Sequence, residues 1–316
     1  MPKIAILDDY ANVSLDMANW GSLPDGYEPV VFKDNLVEVG ALAERLADFE
    51  IVCAMRERTP FPGEVFAKLP NLKLFITSGM RNASVDFAAA RAQGVTCCGT
   101  SGSGWGTSEH AWGLIHACAR YAPHDDRMMR EGKWQTRMGV ELHGKTLGLL
   151  GLGRLGGHVA KVAPAFGMNI VAWSQNLTAE RCAEVGAELV DKDELFRRSD
   201  FISIHVVLSD RSRGLIGARE LALMKSTASL INTSRGPIVD QAALIEALTT
   251  GQIRGAATDV YDIEPLPVDH PYRSLENLIM TPHVGYVTEE GYRTFYSQMV
   301  EDIQAWHDGA PLRVIK

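Results

Sequence analysis

The sequence predicts an α/β protein of two doubly wound, parallel-sheet domains, one inserted into the other. Three observations carry this reading. The chain has 316 residues, more than one ordinary core accommodates at roughly 150 residues per domain. Two successive series of short apolar runs alternate with helix-like segments, and a Gly/Ser-rich stretch separates the two series. Crossovers long enough to hold a helix favour parallel strands.

The first series has apolar runs near residues 3 to 7, 28 to 32, 50 to 55, 72 to 77 and 94 to 98, with helical spacing between them, as from Val37 to Phe49. Within the last run, Val95-Thr96-Cys97-Cys98 reads as a buried strand rather than a redox site. The connection Gly99-Thr100-Ser101-Gly102-Ser103-Gly104-Trp105-Gly106-Thr107-Ser108 reads as a hinge, with Ser108 capping a helix from Glu109 to about Tyr121. A second series at 146 to 150, 169 to 173, 200 to 205, 228 to 232, 254 to 260 and 277 to 281 predicts six strands. After Gly285 the chain reads as one long helix, with Tyr292, Phe295, Met299, Ile303 and Trp306 at helical spacing and Gly309 as its stop. That apolar stripe is expected to return to the first domain. The resulting plan is residues 1–99 with 286–316 as one domain and residues 100–285 as the other.

Apolar residues make up 46% of the chain and charged residues 22%, a globular balance. The formal charge of -8 repels phosphate backbones, and no basic run offsets it, which argues against nucleic acid and acidic membranes as partners. No stretch reaches the ~18 apolar residues of a membrane span. The N-terminal run Met1 to Leu7 breaks at Asp8-Asp9 and is too short for a secretory leader. Five scattered cysteines without a C-x-x-C pair suit reduced thiols in a cytoplasmic protein, with no metal. His124-Asp125-Asp126 and Asp191-Lys192-Asp193-Glu194 read as caps or solvated faces.

Gly151-Leu152-Gly153-Arg154-Leu155-Gly156 lies between an apparent strand, Thr146 to Leu150, and a helix, His158 to Phe166, with the next strand at Asn169 to Trp173. In that setting Gly151 permits a tight turn, Gly153 lets the backbone approach a pyrophosphate, and Gly156 allows helix-strand contact. An acidic residue is expected after the second strand to hold the ribose, yet Ser174-Gln175-Asn176 follows Trp173, and the nearest downstream cation is Arg181. NAD and NADP both stay open as cofactor. His205, in the run Phe201 to Leu208, either lines the cofactor cleft or is a satisfied core residue.

Ligands of open α/β sheets sit beyond the carboxyl ends of the strands. Three such ends carry polar residues: Thr233-Ser234-Arg235-Gly236, the segment from Asp259 to Glu264, and Thr281-Pro282-His283. Reduction of a 2-oxo acid needs a cation for the carboxylate, a hydride donor and an acid for the developing alkoxide. Arg235 offers a planar fork for the carboxylate, and His283 an acid or, in reverse, a base. Glu264, within reach of His283, would favour imidazolium and fix the ring.

With four segments, Gly151 to Gly156, Ile231-Asn232-Thr233-Ser234-Arg235-Gly236, Asp259-Val260-Tyr261-Asp262-Ile263-Glu264-Pro265 and Thr281-Pro282-His283-Val284-Gly285, the chain resembles the D-isomer-specific 2-hydroxyacid dehydrogenases over essentially its whole length. The resemblance implies a Rossmann nucleotide-binding domain inserted into a flavodoxin-like substrate domain, a cleft between the two, and a homodimer. It implies Arg235, Glu264 and His283 as catalytic residues, Asp259 near the nicotinamide amide, and a small 2-oxo or 2-hydroxy acid as substrate. Where the family often has a Gly-rich substrate turn, this chain has Ser78-Gly79-Met80-Arg81-Asn82. Gly79, Met80 and Arg81 are therefore expected at the substrate, with Arg81 reaching a second acidic group or forming a salt bridge; Arg56 and Arg58 invite the same two readings. Ending at Lys316, the chain is expected to lack the regulatory domain of many phosphoglycerate dehydrogenases. A dinucleotide-sensing corepressor of the same fold is the alternative, against which the intact Arg235, Glu264 and His283 set argues. Formate dehydrogenase, a relative with a neutral amide partner for its histidine, is disfavoured by Glu264.

Overall fold

The computed structural model describes residues 2–102 and 104–316. Met1, at the head of the first apolar run, and Ser103, within the expected hinge, lie outside the described residues. Two compact units divide the chain: Met1–Ser103 with Val287–Lys316, and Gly104–Tyr286.

In the first unit β1 (Lys3–Ile6), β2 (Glu28–Val31), β3 (Ile51–Ala54), β4 (Leu74–Thr77) and β5 (Thr96–Gly99) form a sheet in the order β2-β1-β3-β4-β5. Every pairing is parallel, and the strand order is flavodoxin-like. Strands β3 and β4 are buried along their whole length, as parallel strands covered on both faces must be. Phe61, Phe66 and Phe75 fill the core with centroids 4.8 to 5.7 Å apart, within the range of favourable ring packing. The C-terminal helix Glu289–His307 starts where the Thr288 side chain accepts from the Gly291 N–H. It buries Tyr292, Phe295, Met299 and Ile303, leaves Trp306 half-buried, and is followed by Gly309 at φ +75°, a left-handed position that glycine takes without strain.

The second unit contains β6 (Thr146–Leu150), β7 (Asn169–Trp173), β8 (Glu188–Leu189), β9 (Phe201–Ile204), β10 (Ser229–Asn232), β11 (Gly255–Thr258) and β12 (Leu278–Met280), ordered β12-β11-β10-β9-β6-β7-β8 and all parallel. The sequence predicts six of these. The two-residue, exposed β8 lacks an apolar run and forms only by adding to the edge beside β7. The order reverses between β6 and β9, the switch point at which such sheets open a crevice at their carboxyl edge. Helices cover both faces, one contributing Ala111, Ile115 and Ala119 from the helix Trp105–Arg120, the other Leu195, Leu221 and Leu244.

Two helix starts differ from expectation. Gly104 at φ +74° precedes a helix that begins at Trp105, one turn before the expected cap. Ser108 lies inside that helix, its hydroxyl donating to the carbonyls of Gly104 and Leu155. A helix at Ala122–Arg130 follows, and the helix after β6 runs Arg154–Val162 and tightens into a 3-10 turn at Ala163–Phe166, around Pro164. It starts directly at the glycine loop, where Gly156 packs against the Gly151 backbone and leaves no room for a Cβ. All five cysteines are buried and unpaired, and no helix among the described residues is long and apolar enough to cross a membrane.

Candidate active site

Between β6 and the helix Arg154–Val162 the backbone reverses at Gly151, which has φ +103° and would bring a Cβ within 2.8 Å of the His205 carbonyl. A Cβ at Gly156 would lie 2.2 Å from the Gly151 carbonyl oxygen, so strand and helix meet backbone to backbone there. Gly153 is different: it is exposed, and a Cβ would meet nothing within 4 Å. The open space fronts the first turn of a helix, whose unpaired N–H groups and partial positive charge suit a phosphate. Arg154 is exposed and Leu155 half-buried at that turn. At the ends of the neighbouring strands β9 and β10, His205 Nδ1 and Thr233 Oγ1 are buried without a partner among the described residues. Buried polar atoms are usually paired, so these two have hydrogen-bonding capacity left at this sheet edge. The cradle and the orphaned atoms together fit a dinucleotide. His205 bonds Ser203 Oγ through Nε2 at 2.9 Å, and burial lowers its pKa to about 4, which keeps the ring neutral near pH 7. It therefore packs behind the loop and is only partly satisfied. Ser174, half-buried, follows β7. Arg181 turns back onto the loop, its Nε donating to the Leu152 carbonyl at 3.1 Å while Nη1 pairs with Glu184.

The three polar strand ends form a single network. Asn232, closing β10, accepts from the Ser234 N–H at 3.0 Å and donates to the Arg235 carbonyl at 3.0 Å, which shapes the turn that presents Arg235. A Cβ at Gly236 would fall 2.2 Å from the Tyr261 carbonyl carbon, so only glycine lets this turn touch the segment after β11. In that segment Glu264 Oε1 accepts from the Tyr261 N–H at 2.8 Å, and Oε2 lies 2.6 Å from His283 Nδ1. The geometry fixes both the carboxylate and the ring, leaving His283 Nε2 for another partner. His283 has φ +54°, an uncommon conformation that histidine tolerates better than most residues.

Asp259 holds this arrangement from beneath. Its carboxylate, 1% exposed, accepts from Thr281 Oγ1 at 2.6 Å, the Val284 N–H at 2.9 Å and the Gly285 N–H at 2.8 Å. Burial alone would raise its pKa, but the hydrogen bonds from His110, Thr281 and the two backbone groups outweigh that and hold it below the usual carboxylate value. His110 Nε2 lies 3.4 Å from Asp259 and 2.9 Å from Thr281 Oγ1. Sequence reasoning misses His110 entirely, because a single histidine within a helix carries no signal until the fold sets it against Asp259. Gly236 and Tyr261 are quoted within their motifs but given no task, which only the contact between their two turns reveals.

Gly79, Met80 and Arg81 lie in the first unit, after β4. Gly79 has φ +92°, and a Cβ there would meet Arg56 Nη1 at 2.3 Å. Arg56 is thus folded against the turn, with its N–H donating to Ser78 Oγ at 2.9 Å and its carbonyl accepting from Asn82 Nδ2 at 2.6 Å. Met80 is 45% exposed and Arg81 is exposed. Arg58 instead donates to the Asp8 carbonyl and to the Tyr292 hydroxyl, a bracing role within the unit.

Residues 112–285 match the family model described as the D-isomer specific 2-hydroxyacid dehydrogenase, NAD binding domain. A D-3-phosphoglycerate dehydrogenase of Archaeoglobus fulgidus is 38% identical over 82% of this chain and 50% of its own length. A glyoxylate reductase of Aeropyrum pernix is 38% identical over 78% of this chain and 76% of its own. The crystal structure of a phosphoglycerate oxidoreductase from Vibrio cholerae superposes with a TM-score of 0.93 at 35% identity, covering 98% of this chain and 100% of that one. The chain spans about half the length of the phosphoglycerate dehydrogenases that it matches. Matched over more than half of its residues by the family model and over most of its length by these relatives, the chain belongs to the D-isomer specific 2-hydroxyacid dehydrogenase family, whose NAD-binding domain makes NAD or NADP the cofactor.

Proposed function

We propose that this protein is an NAD(P)-dependent oxidoreductase that interconverts a small 2-oxo acid and its D-2-hydroxy acid. The observation that supports it most is the 2.6 Å pairing of Glu264 with His283 on loops at the same sheet edge as the glycine cradle. The cofactor, when bound, supplies or accepts the hydride. Gly151, Gly153 and Gly156 with the N–H groups at Arg154 and Leu155 hold its pyrophosphate, Thr233 and Ser174 offer hydroxyls, and Asp259 is assigned to the nicotinamide end. His283 donates a proton from Nε2 to the developing alkoxide and takes one back in oxidation. Glu264, fixed by the Tyr261 N–H, holds His283 Nδ1 at 2.6 Å and keeps the ring oriented. Arg235 binds the substrate carboxylate through its planar fork. Gly79, Met80 and Arg81 are assigned by this reading to the rest of the substrate.

Ser174 in place of an acidic residue removes repulsion of a 2′-phosphate, while the pairing of Arg181 with Glu184 spends much of the nearest positive charge. Tolerance of both NADH and NADPH follows. A homodimer in the cytoplasm is the proposed setting, supported by the exposure of Met129, Trp134 and Met138, up to 90% for the last. Glyoxylate, hydroxypyruvate and larger 2-oxo acids assayed with each cofactor test the proposal. Turnover of at least one acid with both cofactors is expected, and Ser174→Asp should weaken NADPH. Binding of either cofactor without turnover of any 2-oxo acid would reject the enzymatic reading.

A further inference from the structure

The second unit has a cavity of about 180 Å³ at the amino ends of β10, β11 and β12, bordered by Ser229, Gly255 and Leu278. The glycine loop and His283 follow the carboxyl ends of parallel strands, so this cavity occupies the opposite edge of the sheet and none of its lining belongs to the catalytic network. It holds well above the ~10–15 Å³ that one water needs, and its size suits a phosphate group with a short carbon stem.

Its lining is basic in a chain of net charge -8. Arg127, Arg137 and Arg254 all reach it, with His124 beside them. Arg137 is paired with Glu276 at 3.3 Å, across a carboxylate that is 75% exposed. Arg254 is half-buried and forms no ion pair with a carboxylate among the described residues, and Arg127 contacts only His124 Nδ1, at 3.5 Å. The other acidic residue of the adjoining helix face, Asp126, is taken by Arg130. Two guanidinium groups without a hydrogen-bonded carboxylate among the described residues thus border one cavity, Arg254 half-buried and Arg127 exposed. Burying such a charge is unfavourable unless an anion or well-placed dipoles answer it. Planar forks from separate elements, a helix for Arg127 and the approach to β11 for Arg254, can grip an oxyanion from two sides. Ser229 is also among the residues that border the cavity.

We propose that this cavity is a binding site for a phosphate-sized dianion, separate from the cofactor and substrate sites. Arg254 and Arg127 supply the charge, Arg137 a shared contact with Glu276, and the cavity room for a short organic stem. The site reads charge and size, so inorganic phosphate and small phosphate monoesters are its ligand class.

Calorimetric titration of the full chain with inorganic phosphate at low ionic strength, with NADH held saturating, tests this. One phosphate site per chain is expected, weakened about tenfold or more in Arg254→Gln and severalfold in Arg127→Ser, with NADH affinity unchanged in both. Arg91→Ser, in the first unit, serves as a charge-matched control and should bind as the parent does. Arg127 is exposed, so its variant tests the site even where Arg254→Gln fails to fold. Absence of binding heat in the parent, equal affinity in parent and Arg127→Ser, or a phosphate signal seen without NADH but lost with NADH saturating would each overturn the proposal, the last by placing the anion at the glycine loop.

Discussion

His283 lies 2.6 Å from Glu264 where the loops after β11 and β12 are tied together, the Tyr261 N–H holding Glu264 and the Val284 N–H donating to Asp259, and the pair is expected to act as a unit. Replacement of His283 by alanine is expected to lower turnover by about 10² to 10⁴, the usual range for proton transfer, while the NADH dissociation constant changes little. Glu264→Gln keeps a carbonyl oxygen for the Tyr261 N–H but loses the carboxylate beside His283 Nδ1, so its defect should also be in turnover. Groups acting as a unit are not additive. The Glu264→Gln/His283→Ala double variant should therefore be no slower than His283→Ala alone. A multiplicative loss in steady-state rates would show that Glu264 acts independently of the histidine.

The glycine loop shows how one element assigns different physical tasks to glycines that look alike in sequence. Gly156 is dictated by packing, since a Cβ would collide with the Gly151 carbonyl at 2.2 Å, whereas Gly153 faces open space at a negative φ. Gly156→Ala is accordingly expected to lower the melting temperature together with cofactor binding. Gly153→Ala should leave the melting temperature close to that of the parent yet weaken NADH binding about tenfold, or ~1.4 kcal/mol, by filling the space a pyrophosphate needs. Fluorescence titration of NADH and thermal melts of the two variants separate the effects. Equal behaviour of the two alanines in both measurements would mean that Gly153 has no ligand-facing role.

Across the whole molecule, the first unit is assembled from both ends of the chain. The last residues add to β5 through an antiparallel bridge between Cys98 and Val314, with the Gly99 N–H donating to the Arg313 carbonyl. Arg313 also donates to Asp302, which is fully buried in the C-terminal helix, with Oδ2 unpartnered. Burial pushes the Asp302 carboxyl up to about 7 against the pull of Arg313. A folded-state pKa above the ordinary 3.8 means that the native state holds the proton more tightly, so Asp302 costs stability increasingly as pH rises from about 4 to about 7. Asp302→Asn keeps an acceptor for Arg313 and removes the titration. Its stability relative to the parent should rise across that window by at most about 1.4 kcal/mol per pH unit, measured by urea unfolding. A constant difference between the two proteins from pH 4 to 8 would contradict the buried, protonatable carboxyl.

What was legible from sequence is whatever local periodicity or chain-neighbour chemistry encodes. Apolar runs place eleven of the twelve strands near their observed positions, and glycine spacing places the loop between β6 and its helix. The resemblance of four short segments supplies the family. The strand β8, the start of the helix at Trp105, and the partners of Asp259 were not legible, because each depends on contacts between residues far apart in the chain. The same holds for the charged cavity, where Arg127, Arg137 and Arg254 look like ordinary surface residues until the amino ends of three strands gather them. Hydrophobic pattern and turn chemistry act over a few residues and so can be read along the chain. Burial, close backbone approach and the convergence of charges are properties of distant segments brought together, and only the tertiary structure decides them.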